Sequence, residues 1–295
     1  MLDDAVVVTD SEDRGAALGL GMVVHWSMGQ VMPGPPAAGA PALTVRGDRL
    51  VCGYPAAGAL WLAEWSGGRW RDGIRDARVP GAREVALGVA GGGLRGLVVD
   101  AGGGLWAWHG EEAPRRIGAA DPHARPALAG DAATLAFKEP GGTGLWVAGW
   151  GGAAAPIVGA ASDAGPALAE SEGGRVCAFR ALSGRQGDPT WRIGHALAVA
   201  TCDEDGWSAP LVVGWPIVGA PALARAFGAV VGAWLDPAGA LRWAPLLGEA
   251  WSLGEVIVAG GARFGPALAA FRGRLVCAWV DLEGRVVCSA GQSGR

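Results

Sequence analysis

Lysine is almost missing from this 295-residue chain: Lys138 stands alone, and the other 23 basic residues are arginine. Charge of both signs is scarce, at 18% of residues, and the net charge is −4. A mildly acidic chain has no concentrated basic face, so nucleic acid is not an expected partner. Long apolar runs are absent as well. No stretch approaches the roughly 20 residues that a membrane-spanning helix requires, which removes the membrane from the expected partners. The N-terminus, Met1-Leu2-Asp3-Asp4, is acidic where a secretory signal would be basic. The five cysteines are Cys52, Cys177, Cys202, Cys277 and Cys288, several of them within apolar runs such as Leu50-Val51-Cys52. An odd set at such places reads as buried free thiols in a reducing compartment rather than a disulfide framework, and implies a cytoplasmic location.

Enzyme signatures are thin. The four histidines (His25, His109, His123, His195) are scattered, and none forms a pair with zinc-ligand spacing. No glycine-rich phosphate loop precedes a helix and no G-x-S-x-G elbow occurs. Neither a metal nor a cofactor is therefore expected.

What the chain does have is apolar surface and glycine: 51% apolar residues, 52 glycines and 15 tryptophans. That combination suits many short buried strands joined by tight turns, and Gly or Pro interrupts nearly every window long enough for a helix. The expected fold class is all-β. A repeat organises it. Gly265-Pro-Ala-Leu268 answers to Ala40-Pro-Ala-Leu43, Arg125-Pro-Ala-Leu128, Gly165-Pro-Ala-Leu168 and Ala220-Pro-Ala-Leu223, with a degenerate copy at Glu84-Val-Ala-Leu87. Spacings of about 40 to 45 residues, with one of 55, are those of a solenoid, propeller or other array.

Within residues 41–83 the pattern resolves into four short strands: A at Ala42–Arg46, B at Leu50–Tyr54, C at Leu60–Trp65 and D at Trp70–Ile74. Tight turns join them, and a longer crossover leads to the next unit. This is the sequence of a propeller blade. The units fall at 41–83, 84–125, 126–165, 166–220, 221–265 and 266–295. Sliding Trp26 onto Trp70 makes residues 1–40 a further blade lacking strand A, which gives seven blades of about 42 residues. The alternative is a six-bladed ring, in which Val23–Val31 serves as the D strand that the last unit lacks. Either arrangement joins the two ends of the chain and removes exposed sheet edges.

If strand A starts on the upper face, the B–C turns and D–A crossovers also lie there. Three kinds of candidate follow. Asp100, Asp236 and Asp281 share one repeat position at the end of strand B. They could form a partial acidic ring that takes a cation or sugar hydroxyls; equally, Asp there opens a β-turn by accepting backbone N–H bonds. Trp61, Trp106 and Trp146 lie on strand C, where indoles either stack on sugar rings or fill the space between blades. Unit 166–220 carries an insertion, Ala181–Arg192, with Arg180, Arg185, Asp188, Trp191, His195 and Trp215 in or around it. A swollen loop on a rigid scaffold is a frequent seat of function.

The pattern P-A-L-A-x-F-x-G-x-L-x-x-A-W-x-D-x-x-G, carried by Pro266–Gly284, resembles the repeats of bacterial β-propeller lectins and sialidase-like propellers. The resemblance implies sugar pockets between blades, with Trp61, Trp106 and Trp146 as stacking residues. Ser183–Trp191 departs from the sialidase Asp box, S-x-D-x-G-x-x-W. The expected function is lectin-like binding of a carbohydrate or other small molecule. Two alternatives stand beside it: an enzyme with one site at the channel mouth near 180–195, and a protein-interaction scaffold.

Overall fold

The computed structural model describes residues 24–71, 73–76, 78–79, 81–183, 194–247, 250–252 and 254–293. They form six antiparallel sheets of four strands each, some with the outer strand in two pieces. Each sheet is one blade, numbered I to VI from residue 42. Blade I has Ala42–Arg46 innermost, then Arg49–Ala56, Ala59–Ser66, and an outer strand in two pieces, Arg69–Trp70 and Ile74–Asp76. Blades II to V occupy 82–119, 127–161, 167–216 and 218–258.

Blade VI decides the count. Its three strands from the C-terminal end are Ala262–Phe271, Arg274–Asp281 and Val286–Ser293. The fourth comes from the other end of the chain: Val24–Trp26 and Gln30–Val31 both pair with Val286–Ser293. The registers are His25 opposite Gln292 and Gln30 opposite Cys288. The ring therefore has six blades and not seven. The expected N-terminal blade fails because its D strand is bonded to the last sheet, which would otherwise present an unpaired edge. The strands expected at Val6–Val8 and Leu18 lie outside the described residues.

Side-chain alternation explains why strands B are apolar on both faces. In Arg49–Ala56, Leu50, Cys52, Tyr54 and Ala56 enter the core shared with blade VI, while Val51 enters the core shared with blade II. In blade VI, Val276, Ala278 and Val280 face blade I, and Leu275, Cys277 and Trp279 face blade V. Successive residues of a strand point to opposite faces, so a blade sandwiched between two others buries both sets. The core is consequently six apolar clusters, one at each seam between blades. Every seam contains tryptophan: Trp65 and Trp70 in VI/I, Trp108 in I/II, Trp150 in II/III, Trp207 in III/IV, Trp234 in IV/V, and Trp243 in V/VI. One glycine is required for this packing. Gly96 lies opposite Trp108 across the sheet, and a Cβ there would stand 1.9 Å from the indole.

In blade IV, strands Gly174–Ser183 and Gly194–Asp203 pair as far as Ser183 and Gly194. Ala181–Ser183, expected as the start of a loop, thus continues strand B. Arg185, Asp188 and Trp191 lie outside the described residues.

Candidate functional site

Polar side chains converge at three places: the axis, the upper rim of blade IV, and the seam where the ring closes. At the axis, the Ala-Leu pair of every repeat lines a cavity of about 70 Å³. Arg125, buried at 8% exposure, crosses this space from blade III. Its guanidinium donates to the carbonyls of Pro41 (3.2 Å), Pro266 (2.7 Å) and Pro221, on blades I, VI and V. Beside it is Glu84, which occupies the same repeat position as Arg125, one residue before the place where five other repeats have proline and this one has Val85. Burial raises the Glu84 carboxyl to about 7 against the opposing pull of Arg125 and Arg83, and its Oε2 is enclosed without a hydrogen bond. Desolvation in turn lowers the pKa of Arg125, offset in part by Glu84. The axis is thus closed by a charged plug. Ligand pockets are about 300–1,000 Å³, so this cavity of about 70 Å³ has room for a few waters but not for a sugar ring.

The three aspartates expected at the B-strand ends do occupy one position, and each spends its carboxylate in the same way. One oxygen of Asp100 accepts the backbone N–H of Gly102 and Gly104, both at 2.8 Å. Asp236 does the same for Ala238 and Ala240, and Asp281 for Glu283 and Arg285. The second oxygen accepts from strand C: Trp106 Nε1, Arg242 Nε and Arg285 Nε, each at 2.7 Å. Burial pushes these carboxyls up, but the accepted bonds outweigh it and hold all three below the usual range. Glu139 is the counterpart in blade III, accepting from Gly144 N–H and from Trp146 Nε1 (3.3 Å).

The three stacking candidates are in separate blades and do not come together. Trp61 and Trp106 are half-buried against the VI/I and I/II cores. The indole N–H groups of Trp106 and Trp146 are committed to carboxylates, whereas Trp61 Nε1 is enclosed and unpaired.

On the rim, the sequence candidates Arg180 and His195 are joined by a residue that sequence reading did not single out. Asp163, in the crossover from blade III, accepts from Arg180 Nε at 2.6 Å and lies 3.4 Å from His195 Nδ1. Trp215 is held away from solvent contact on one face by stacking on Trp234, with centroids 4.6 Å apart and planes at 20°.

The third place is the VI/I seam. A shallow depression, wide open to solvent, is lined by Gln30, Val31, Met32 and Pro33 from the N-terminal segment and by Gly68, Arg69 and Trp70 from blade I. Trp70 is fixed edge-on against Trp65, with centroids 5.6 Å apart. Arg69 is exposed and forms no ion pair among the described residues. None of these lining residues was a sequence candidate. The seam exists because two distant segments meet, which no local pattern announces. Glu84 and Arg125, by contrast, left a trace as departures from the repeat.

The fold defined by these sheets is a six-bladed β-propeller. No protein-family model and no curated protein matches the sequence. Solved structures do match in shape. One is the Aleuria aurantia lectin, described with a six-bladed β-propeller fold and a novel fucose recognition mode. It is 10% identical, with a TM-score of 0.61, over 88% of this chain and 97% of that one. SapL1 lectin in complex with α-methyl fucoside is 15% identical at the same TM-score, over 88% and 96%. Trypanosoma rangeli sialidase is 11% identical, again at 0.61, with 55% of that chain covered. At these identities the likeness establishes the fold.

Proposed function

We propose that this propeller binds carbohydrate without transforming it, at the seam between blades VI and I. The observation that carries this reading is the chemistry of the hollow. Indole, guanidinium and carboxamide groups line one shallow, solvent-open depression at the seam, the kind of surface on which a sugar can lie against an aromatic ring. An indole offers an apolar face to the C–H side of a sugar ring, while Arg69 and Gln30 offer hydrogen bonds to its hydroxyls. The likeness to fucose-binding propellers supports the reading, as does the placement of the site between blades. Trp65 packs against Trp70 edge-to-face, and Trp70 stays partly exposed, leaving indole surface open to a ligand. Trp61, Trp106 and Trp146 stay candidates for weaker sites in their own blades.

A glycan array followed by isothermal titration tests the proposal. Arg69→Ala is expected to abolish measurable sugar binding while leaving thermal unfolding unchanged. Silence of the intact protein across a broad panel would end the lectin reading. A second reading, an enzyme working at the rim, is favoured by the proximity of His195 Nδ1 to the Asp163 carboxylate, 3.4 Å away without a hydrogen bond. A substrate that draws the two together would let the pair act in general base catalysis. Turnover of any bound glycan, lost in His195→Ala, would decide for it.

A further inference from the structure

The distribution of arginine around the seam says what kind of sugar belongs there. Residues 41–83 carry seven arginines against four acidic residues, a net charge of +3 within a chain of net −4. Of the four acids, Asp72, beside Arg71, lies outside the described residues, and two are engaged by other arginines. Glu64 is shared by Arg46 and Arg49, and Asp76 is taken by Arg78. Arg69, Arg71 and Arg75, all on or beside the outer strand of blade I, are exposed and form no ion pair among the described residues. Several arginines elsewhere in the ring are used, although Arg115 and Arg274, on blades II and VI, are exposed and form no ion pair among the described residues. Arg242 and Arg285 are bound to turn aspartates, Arg95 to the Ala132 carbonyl and the Trp150 ring, and Arg272 to the Asp48 carbonyl. Exposed guanidinium groups clustered beside a surface depression attract anions and can bind carboxylate or sulfate through two parallel hydrogen bonds. A neutral sugar would take only ordinary hydrogen bonds from Arg69, whereas an acidic one adds a charge-assisted contact.

We infer that the VI/I hollow selects an anionic sugar, one bearing a carboxylate or sulfate group that pairs with Arg69 while its ring lies against Trp70. This rests on the carbohydrate reading of the same site. Arg69 stands at the edge of the depression and makes the direct contact; Arg71 and Arg75 supply the surrounding positive potential, which draws in the ligand and fades with salt.

The test compares uronic acids, sialylated glycans and sulfated glycans with their neutral parents by titration, at low and high ionic strength, with polyglutamate as a non-sugar polyanion. Acidic glycans are expected to bind at least about tenfold more tightly than neutral parents, the size of one charge-assisted contact. The ratio should shrink in high salt. Arg69→Gln should bring it close to one, and Arg71→Gln should reduce it partially. The carboxylate and sulfate arms identify which acid is preferred. Equal binding of neutral and acidic sugars, with the ratio unmoved in Arg69→Gln, would overturn the anion inference and leave the seam as a sugar site. Polyglutamate bound as tightly as acidic glycans would also overturn it, by showing attraction without sugar recognition. No binding of any sugar would remove both readings.

Discussion

Arg125 brings a full charge into a space with room for little more than a few waters, and three blades supply the carbonyls that receive it. Replacing it with an apolar side chain of similar length has two opposing effects. The cost of dehydrating a guanidinium disappears, which can make such replacements neutral. Against this, the carbonyls of Pro41, Pro221 and Pro266 lose their donor together, and each unpaired buried acceptor costs about 1–3 kcal/mol. Water can re-pair some of them, so the loss should prevail at about 2–4 kcal/mol. Urea unfolding of Arg125→Met measures this, and an unchanged midpoint would show that the plug is dispensable. Glu84 has the opposite character. Its pKa in the folded protein, about 7, lies above the 4.5 of an ordinary glutamate. Between these values the folded chain keeps a proton that the unfolded chain has lost, so stability falls as pH rises from about 4.5 to 7 and levels off above. Glu84→Gln, a mimic of the protonated form, should therefore be more stable than the native chain at pH 8 and equal to it near pH 4. Parallel stability curves for the two proteins would refute the assignment.

Among the elements, the upper hairpins of blades II, V and VI show how one residue type serves structure and leaves little for a ligand. Each aspartate organises its turn with one oxygen and restrains strand C with the other. Asp236→Ala removes two backbone bonds and frees Arg242, so a loss of about 1–3 kcal/mol is expected by thermal or chemical unfolding. Sugar binding at the seam should be unaffected. If binding falls at constant stability, the acidic position belongs to a ligand site after all. Strands themselves are governed by the space between blades. Gly96→Ala sets a methyl group against Trp108, which has nowhere to go inside the I/II core. Overpacking of this kind costs about 1–3 kcal/mol, read as a lowered melting temperature, whereas the same change at Gly92, with nothing within 4 Å but φ +76°, should cost about 1 kcal/mol from backbone strain alone.

At the scale of the molecule, the sequence made the blade readable because the blade is local. Pro-Ala-Leu opens strand A, glycine-rich turns follow at fixed offsets, and period-two apolar residues set the faces. It left the ring count open because Trp26 and its neighbours have the pattern of strand D without a local partner. Which C strand they join depends on closure across some 260 residues. The same holds for the seam: Gln30 and Arg69 become neighbours through closure alone. Arg125 was legible only as an odd residue before a repeated proline. Closure is also the feature on which stability and the proposed function both depend. Removing residues 1–31 would leave Val286–Ser293 as a bare edge, strip Trp26 from the V/VI core, and remove one wall of the hollow. An unpaired edge on a buried sheet invites pairing between chains. The truncated protein should therefore unfold at lower denaturant than the intact one and associate in a concentration-dependent way, seen by light scattering. Adding residues 24–31 as a separate peptide should reverse both effects, since the strand donates main-chain hydrogen bonds to an existing sheet. A truncated chain that stays monomeric and equally stable would mean that the last blade holds with three strands, and that closure serves the proposed site more than the fold.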